Sequence, residues 1–378
     1  MKWNVIQPLA GGMVLGAEKA LGCLPEFIVS QKPFEFNDSF LLDYYGDKVP
    51  YYFLEDEPKL DCTETDITVS VPVCAGLSQL NSSKTRGSDA PQNDNMLFNA
   101  NYALSVIKPK VYIFENAPAL YTSVGEAVAD KLRKLGEKNG YSITLYKTST
   151  HLHGLPQKRH RTFALFWKDS KCPLMEYENV SSNLVDFLNE IPPETPYMET
   201  YINNDILNDS FYKYIKEKKL GRFAGQSFLT IIAKNDLLED FAYWTDSERA
   251  KEIALRVHGK LKEGKNFWDH TSYFLNSDYI GAIQGRIYGR TIHPTKDRDL
   301  SIRELITLMG HPLDYMLKDD PLKYINVIGQ NVPVTTAAFI TSQAKKFLNG
   351  ELPMTDEIFA RQDNTKCKQS EVSLHDFF

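Results

Sequence analysis

Apolar and polar positions follow one another in two rhythms over the first 168 residues. Residues 4–9 read as a strand, Ala10-Gly11-Gly12 as a turn, and residues 13–21 as a helix. Residues 26–30 (EFIVS) give a second strand. Residues 66–71 (DITVSV) are β-branched and alternating, and they run directly into Pro72-Val73-Cys74-Ala75-Gly76. Residues 99–106 predict a helix, and residues 110–114 (KVYIF) a strand that ends on Glu115-Asn116. An amphipathic helix follows over 124–138, and strands over 141–146 and 162–167 close the set. Strands alternating with helices predict an α/β fold built on a mostly parallel sheet flanked by helices. In such sheets ligands sit beyond the carboxyl ends of the strands. The glycine turn, Cys74 and Glu115 all fall at such ends.

The βα rhythm stops near residue 168, so residues 1–168 form the first domain. Residues 169–297 mix acidic and aromatic helices with short strands and predict a second, smaller domain. Residues 298–352 return to the first domain. A helix over 299–309 has Ser301 as its N-cap and Glu304 three residues on, and another helix covers 334–348. Beyond Gly350 the chain turns polar, which predicts a flexible tail over 353–378. No internal repeat is present.

The net charge of −6 argues against indiscriminate coating of nucleic acid, but it leaves room for a local basic face. Cys23, Cys62, Cys74, Cys172 and Cys367 are scattered without zinc-ligand spacing, so no metal is expected. Their odd number fits a reducing cytosol. Lys2 and Asn4 lead straight into an apolar strand rather than a secretory signal. No apolar run approaches the ~18 residues a membrane span needs. A cytoplasmic protein without a membrane partner is expected.

Several segments together resemble the DNA (cytosine-5)-methyltransferase family. Val71-Pro72-Val73-Cys74-Ala75-Gly76-Leu77-Ser78 is similar to the family's Pro-Cys-Gln nucleophile loop. Phe114-Glu115-Asn116-Ala117-Pro118 is similar to its Glu-Asn-Val segment, and Gln157-Lys158-Arg159-His160-Arg161 to its Gln-x-Arg-x-Arg. Arg298-Asp299-Leu300-Ser301-Ile302-Arg303-Glu304, followed by Gly310-His311-Pro312, resembles the late arginine-rich helix, and Gly329-Gln330-Asn331-Val332-Pro333 the last motif. Each motif alone is weak, but their shared order spans the chain from about residue 4 to residue 348.

The resemblance implies a Rossmann-like fold of the S-adenosylmethionine-dependent type with a smaller target-recognition domain. It implies methyl transfer from S-adenosylmethionine to C5 of a cytosine in double-stranded DNA. Cytosine C5 is a poor nucleophile, and addition of a thiolate to C6 makes it enamine-like. Cys74 would be that nucleophile. Glu115 would hold N3 and the exocyclic amine, and Arg159 and Arg161 would stabilise charge and orient thiol and base. The base must leave the duplex to be reached. The polar stretch 81–95 reads as a closing loop, with Ser78, Lys84 and Arg86 facing DNA. Within the smaller domain Lys260, Lys262, Lys265, Phe267, Trp268, Arg286, Tyr288 and Arg290 are basic and aromatic candidates for DNA contact, of which Lys260, Lys262, Arg286 and Arg290 are the phosphate contacts expected first.

The cofactor half departs from the family pattern. Gln7-Pro8-Leu9-Ala10-Gly11-Gly12 is shorter than the family's first motif, with Leu9 where Phe is usual. Gln31 stands in the place of the ribose-binding acid and is followed by Lys32. Val73 precedes the nucleophile and Ala75 follows it. Leu9, Ala10, Gly11, Gly12, Gln31, Lys32, Glu55, Asp56, Gln330 and Asn331 are the expected cofactor residues. Two donors are compatible with this set: S-adenosylmethionine, or a modified analogue whose added carboxylate would meet Lys32. A non-catalytic DNA-binding paralogue is a further reading, opposed by the retained Cys74, Glu115, Arg159 and Arg161. An RNA cytosine methyltransferase is another, opposed by the absence of a Cys-Phe-Thr signature. Finally, Glu371-Val372-Ser373-Leu374-His375-Asp376-Phe377-Phe378 resembles sliding-clamp-binding peptides, including C-terminal ones of phages.

Overall fold

A computed structural model describes residues 1–60, 62, 65–78, 87–202, 205–220, 226–267, 273–274, 279–283, 291–318 and 321–366. The chain opens with β1 (Trp3–Ile6), α1 (Gly12–Leu21), β2 (Ile28–Ser30), α2 (Glu35–Tyr45) and β3 (Tyr51–Phe53). It continues through β4 (Ile67–Ser70), α3 (Asn93–Tyr102), β5 (Val111–Asn116), α4 (Glu126–Lys138), β6 (Tyr141–Ser149), β7 (Gln157–Lys158) and β8 (His160–Lys168). One eight-stranded sheet takes in all of these strands except β7, together with β12 (Phe359–Asp363), in the order β12-β6-β8-β5-β4-β1-β2-β3. Only β8 runs against its neighbours, pairing antiparallel with both β5 and β6. The inner strands β5 and β8 are buried on both faces over most of their length (VYIFEN in β5, FALFW in β8), as a sheet covered by helices requires.

Two apolar layers cover the sheet. One gathers β1 and β4 side chains with α1, α2, α10 (Ile302–Thr307), α11 (Pro321–Gln330) and α12 (Val334–Leu348). The other packs α3 and α4 against Ile6, Val29, Tyr112, Phe114, Ile143 and Phe166. Helices α1 and α12 approach closely because Gly16 lacks a side chain: a Cβ there would lie 2.5 Å from Ala337 Cβ and from Val334 O. The helix expected over 99–106 begins earlier, at Asn93, and continues into a π-turn over Ala103–Ile107. Its first turn, Asn93-Asp94-Asn95, is made of residues whose side chains compete for backbone hydrogen bonds, which hid the start.

A separate apolar cluster draws on Ile206 through Val257, with Ile292. It contains α6 (Ser210–Glu217), α7 (Phe228–Lys234), α8 (Leu238–Trp244) and α9 (Glu248–Lys262), beside a two-stranded ribbon of β9 (Gln226–Ser227) and β10 (Tyr273–Phe274). The preceding helix α5 (Leu184–Asn189) and Cys172, Met175 and Ile191 belong to the main core instead. The smaller core therefore starts later than the change of sequence rhythm at 168. It is tied back to the main sheet region by β11 (Ile280–Gly281), which pairs parallel with β7.

The stretch after Gly350 departs from the flexible tail expected of it. Residues 359–363 form β12, the parallel neighbour of β6 at the sheet edge. Its alternation of half-buried, buried and exposed positions (FARQD) carries too little apolar character to stand out in the sequence. Gln362 fixes it by accepting from Met175 N (3.0 Å) and donating to Pro173 O (3.0 Å). Gln362→Ala removes the partners of two backbone groups, and a loss of about 2 kcal/mol or more is expected in denaturant unfolding. An unchanged midpoint would restore the tail reading. The peptide 371–378 lies outside the described residues, as do Lys84, Arg86, Trp268, Arg286, Tyr288 and Arg290. No helix among the described residues is long and apolar enough to cross a membrane.

Candidate active site

The sheet order places β4, β5 and β8 side by side. Cys74 follows β4, Glu115 lies in the last turn of β5, and Arg161 lies near the start of the antiparallel β8, so all three meet at one end of adjacent strands. Beyond β4, Val73 N donates to Asn95 Oδ1 (2.9 Å), and Leu77 N donates to Cys74 O (3.1 Å), which curls the nucleophile loop back on itself. Gly76 is needed there, since a Cβ would lie 2.4 Å from Asn93 Oδ1. Cys74 is half-buried and forms no disulfide.

Glu115 is 2% exposed. Its Oε1 lies 2.5 Å from Arg161 Nε, and Arg161 also donates to His160 O (2.7 Å). Burial raises the Glu115 carboxyl above its usual range, against the pull of Arg161 and Arg159. Burial likewise raises the Cys74 thiol, and the Glu115 charge adds to it, while Arg161 and Arg159 oppose both. The two arginines thus oppose the upward push of burial on both the acid and the thiol.

Arg159 has a different place from the one expected. It is 1% exposed and donates to the carbonyls of Ile283 (2.6 Å), Gly329 (2.9 Å) and Asn331 (2.9 Å). Burial, with Arg161 beside it, lowers its pKa to about 9, so it stays charged at neutral pH. Its guanidinium therefore acts on Cys74 and Glu115 through charge while clamping two remote segments. Gln157 does the same without charge: it donates to Leu308 O (2.9 Å) and accepts from Ile283 N (3.1 Å).

The glycine turn before α1 is built from below. Gly12 N donates to Asn331 Oδ1 (3.1 Å), and Ala10 O accepts from Asn331 Nδ2 (3.1 Å) and the Tyr315 hydroxyl (2.9 Å). His311 Nε2 lies 3.2 Å from Ala10 O, and burial lowers its pKa to about 4, which keeps the ring neutral. A Cβ on Gly12 would lie 1.9 Å from Val332 O, so the last motif can touch the turn only at glycine. Asn331, expected to face a cofactor, spends its side chain on this joint. Gln330 is exposed at the end of α11.

Gln31 at the end of β2 shares Asn95 Nδ2 with Gln7: the amide reaches Gln31 Oε1 at 3.0 Å and Gln7 Oε1 at 3.1 Å. Asn99 also donates to Gln7 Oε1 (2.9 Å). These amides join the first motif, the β2 end and the nucleophile loop. Glu55 accepts from Lys32 N through both carboxylate oxygens (3.2 Å each), and so supplies an acid beside the β2 end where Gln31 has none. Lys32 Nζ is bound to Asp56 (2.6 Å), and that pairing raises its pKa. No side chain closes the α1 N-cap. An uncapped helix N-terminus suits a carboxylate, and an acid at the β2 end suits hydroxyls, so this donor set fits S-adenosylmethionine.

Asp38 carries no signal in the sequence. It is fully buried on α2, accepting from Leu9 N (3.1 Å) and the Tyr51 hydroxyl (3.1 Å). It holds Leu9 in a left-handed conformation (φ 55°). Burial pushes its pKa up to about 7, with the Tyr51 and Leu9 hydrogen bonds opposing. The folded chain then holds a proton that the unfolded chain, with a carboxyl near 3.8, has released, so stability falls as pH rises between those values. For Asp38→Asn, the melting temperature relative to the parent is expected to climb across that window and level off above it. A pH-independent offset would contradict the assignment.

Ser78 is half-buried at the edge of the described loop, and Lys260 and Lys262 are exposed at the end of α9. Comparison with known proteins finds methyltransferases. A type II methyltransferase from Methanocaldococcus jannaschii is 24% identical over 340 residues, 87% of this chain and 76% of the relative. The type II methyltransferase M.HaeII from Haemophilus aegyptius is 28% identical over 223 residues, 56% of this chain and 61% of the relative. Among solved structures, a protein described as a DNA modification methyltransferase encoded within an E. coli prophage superposes with a TM-score of 0.61 at 16% identity, covering 92% of this chain and 99% of the other. The S. pombe Dnmt2 methyltransferase superposes with a TM-score of 0.53 at 13% identity, covering 92% and 99%. These superpositions bear on the fold alone, a Rossmann-like methyltransferase sheet. Residues 52–346 match the family described as C-5 cytosine-specific DNA methylase, and the chain belongs to that family.

Proposed function

We propose that the protein methylates C5 of cytosine in double-stranded DNA, with Cys74 as nucleophile. The observation that carries this reading is the convergence of Cys74, Glu115 and Arg161 from three separate segments onto neighbouring strand ends, with Arg159 acting on them through its charge. Cys74 Sγ loses its proton and forms a bond to C6 of an everted cytosine, and the C5–C6 electron pair moves onto C5. Glu115 holds the N3 edge and shares a proton with it as charge builds on the ring; burial raises its carboxyl while Arg161 and Arg159 pull it down. Arg161 fixes the Glu115 carboxylate by their ion pair. Once C5 carries its new carbon, the C5 proton passes to water, the C5–H electron pair re-forms the C5–C6 double bond, and the C6–S bond breaks to release the Cys74 thiolate.

S-adenosylmethionine, held by the glycine turn, Glu55 and the α1 N-terminus, supplies an electrophilic methyl group when bound. The Lys32–Asp56 pair favours this ordinary donor over a carboxylated one, because the lysine charge is already matched. The smaller core, with Lys260 and Lys262, is the target-recognition region in this reading. Nucleosides from the DNA of cells expressing the protein are expected to contain 5-methylcytosine by mass spectrometry. A different C5 substituent would point to another donor, and unmodified cytosine with soluble, folded protein would end the proposal.

A further inference from the structure

Beside the site, outside the catalytic set, a group of basic side chains collects where β6 ends and β8 begins. Ser149 pairs with His160 across these strands, next to the pair of Thr148 and Arg161. Ser149 Oγ lies 2.8 Å from His151 Nδ1. The His151 ring packs on Tyr279 with 5.4 Å between centroids, and Lys158 Nζ lies 5.5 Å from the centre of the same ring. The pairing of β7 with β11 brings Tyr279 here. Lys158 is exposed and makes no ion pair among the described residues.

Positive charge exceeds negative at this spot. Lys158, Lys147 and Arg161 act on His160, and the one acid acting on it is Asp363, which Lys147 already binds at 3.2 Å. Lys158, His160 and His153 act on His151, and His153 is bound to Glu178 at 2.5 Å. His160 Nδ1 is shielded from solvent and has no hydrogen-bond partner among the described residues. A lysine without an ion pair among the described residues, beside two histidines at one strand end, describes a receptor for an anion.

We infer that Lys158, His151 and His160 form a binding site for the phosphodiester backbone of the substrate DNA strand beside the everted base. This rests on the proposed reaction for its location: Lys158 and His160 lie at the strand end from which Arg161 reaches Glu115, on the opposite face of the strand from Arg161. Contacts to phosphate position a duplex without reading its sequence. Burial first, and then the nearby lysine charge, lowers the pKa of both histidines in the free protein. An arriving phosphate reverses that field and favours protonation. Binding therefore takes up protons and tightens as pH falls through the histidine range.

The test uses the whole protein and a mixed-sequence duplex with no assumed target, with affinity read by fluorescence anisotropy over a salt series. Lys158→Gln is expected to reduce the slope of log affinity against log salt by about 0.9, the value for one phosphate, and Lys158→Arg to keep it. The parent should bind more tightly at about pH 6 than at about pH 8, and His151→Gln combined with His160→Gln should lose most of that difference. His151→Gln alone should lose part of it. A salt slope unchanged in Lys158→Gln, or a pH dependence retained in the double variant, would overturn the site. Covalent capture of the parent on DNA in which every cytosine is 5-fluorocytosine is measured in parallel. Capture with an unchanged Lys158→Gln slope removes this site alone, whereas no capture with a changed slope leaves a DNA contact and removes the catalytic proposal.

Discussion

Cys74→Ser is expected to lower 5-methylcytosine formation by on the order of 10³-fold or more, about 4 kcal/mol of barrier. A serine hydroxyl in the same place would have to ionise far above the thiol range, and burial and Glu115 already push the residue at this position upward. DNA affinity should stay near that of the parent, because the side chain is half-buried and nearly isosteric. Cys74→Ala should match Cys74→Ser in product formation. Radiolabelled methyl incorporation checks the first point and anisotropy the second. Retention of a tenth or more of the activity in both variants would mean that another group attacks C6, or that no covalent step occurs.

Glu115→Gln separates thiol ionisation from base activation. The Glu115 charge raises the Cys74 pKa, so a neutral amide should lower it, and loss of the ion pair leaves Arg161 to lower it further. Iodoacetamide should then alkylate Cys74 faster at a given pH, as followed by peptide mapping. Methyl transfer should nevertheless fall by about 10²–10⁴-fold, because the amide cannot hold a proton for N3. A better nucleophile in a worse enzyme is the signature of an acid that acts on the base. Slower alkylation with slower transfer would instead mean that Glu115 merely shapes the loop.

The positions of Cys74, Glu115 and Arg161 at neighbouring strand ends were legible in the sequence because each sits in a short motif next to a strand end. The alternating run 66–71 before Cys74 and the apolar run before Glu115 gave both strands and sites. The Ser301–Glu304 capping box was equally readable, and both of its reciprocal hydrogen bonds are present. What failed to show shares one property: its meaning comes from partners far away in the chain. Asp38 is one polar residue among Asn37, Ser39 and Asp43, and only the fold brings it under Leu9. Asn331 and His311 belong to recognised segments, yet their work on Ala10 and Gly12 spans about three hundred residues of sequence. Arg159 was recognised, but its three carbonyl partners come from segments no local pattern connects to it. Strand β12 was missed because FARQD gains its stability from pairing with β6 rather than from its own hydrophobicity.

The same distribution explains why the cofactor half looks irregular while the turn remains well supported. Gly12 is fixed by the approach of Val332 and Asn331. Gln31 can replace an acid because Glu55 stands beside the β2 end.

The most direct measurement traps the parent protein on 5-fluorocytosine DNA in the presence of S-adenosylmethionine and maps the adduct by peptide mass spectrometry. Fluorine at C5 blocks the proton loss that releases the sulfur, so a denaturation-resistant complex with the modified nucleotide on Cys74 is expected. Methylated product on ordinary DNA with no such complex, or an adduct on any other residue, would contradict attack by the Cys74 sulfur.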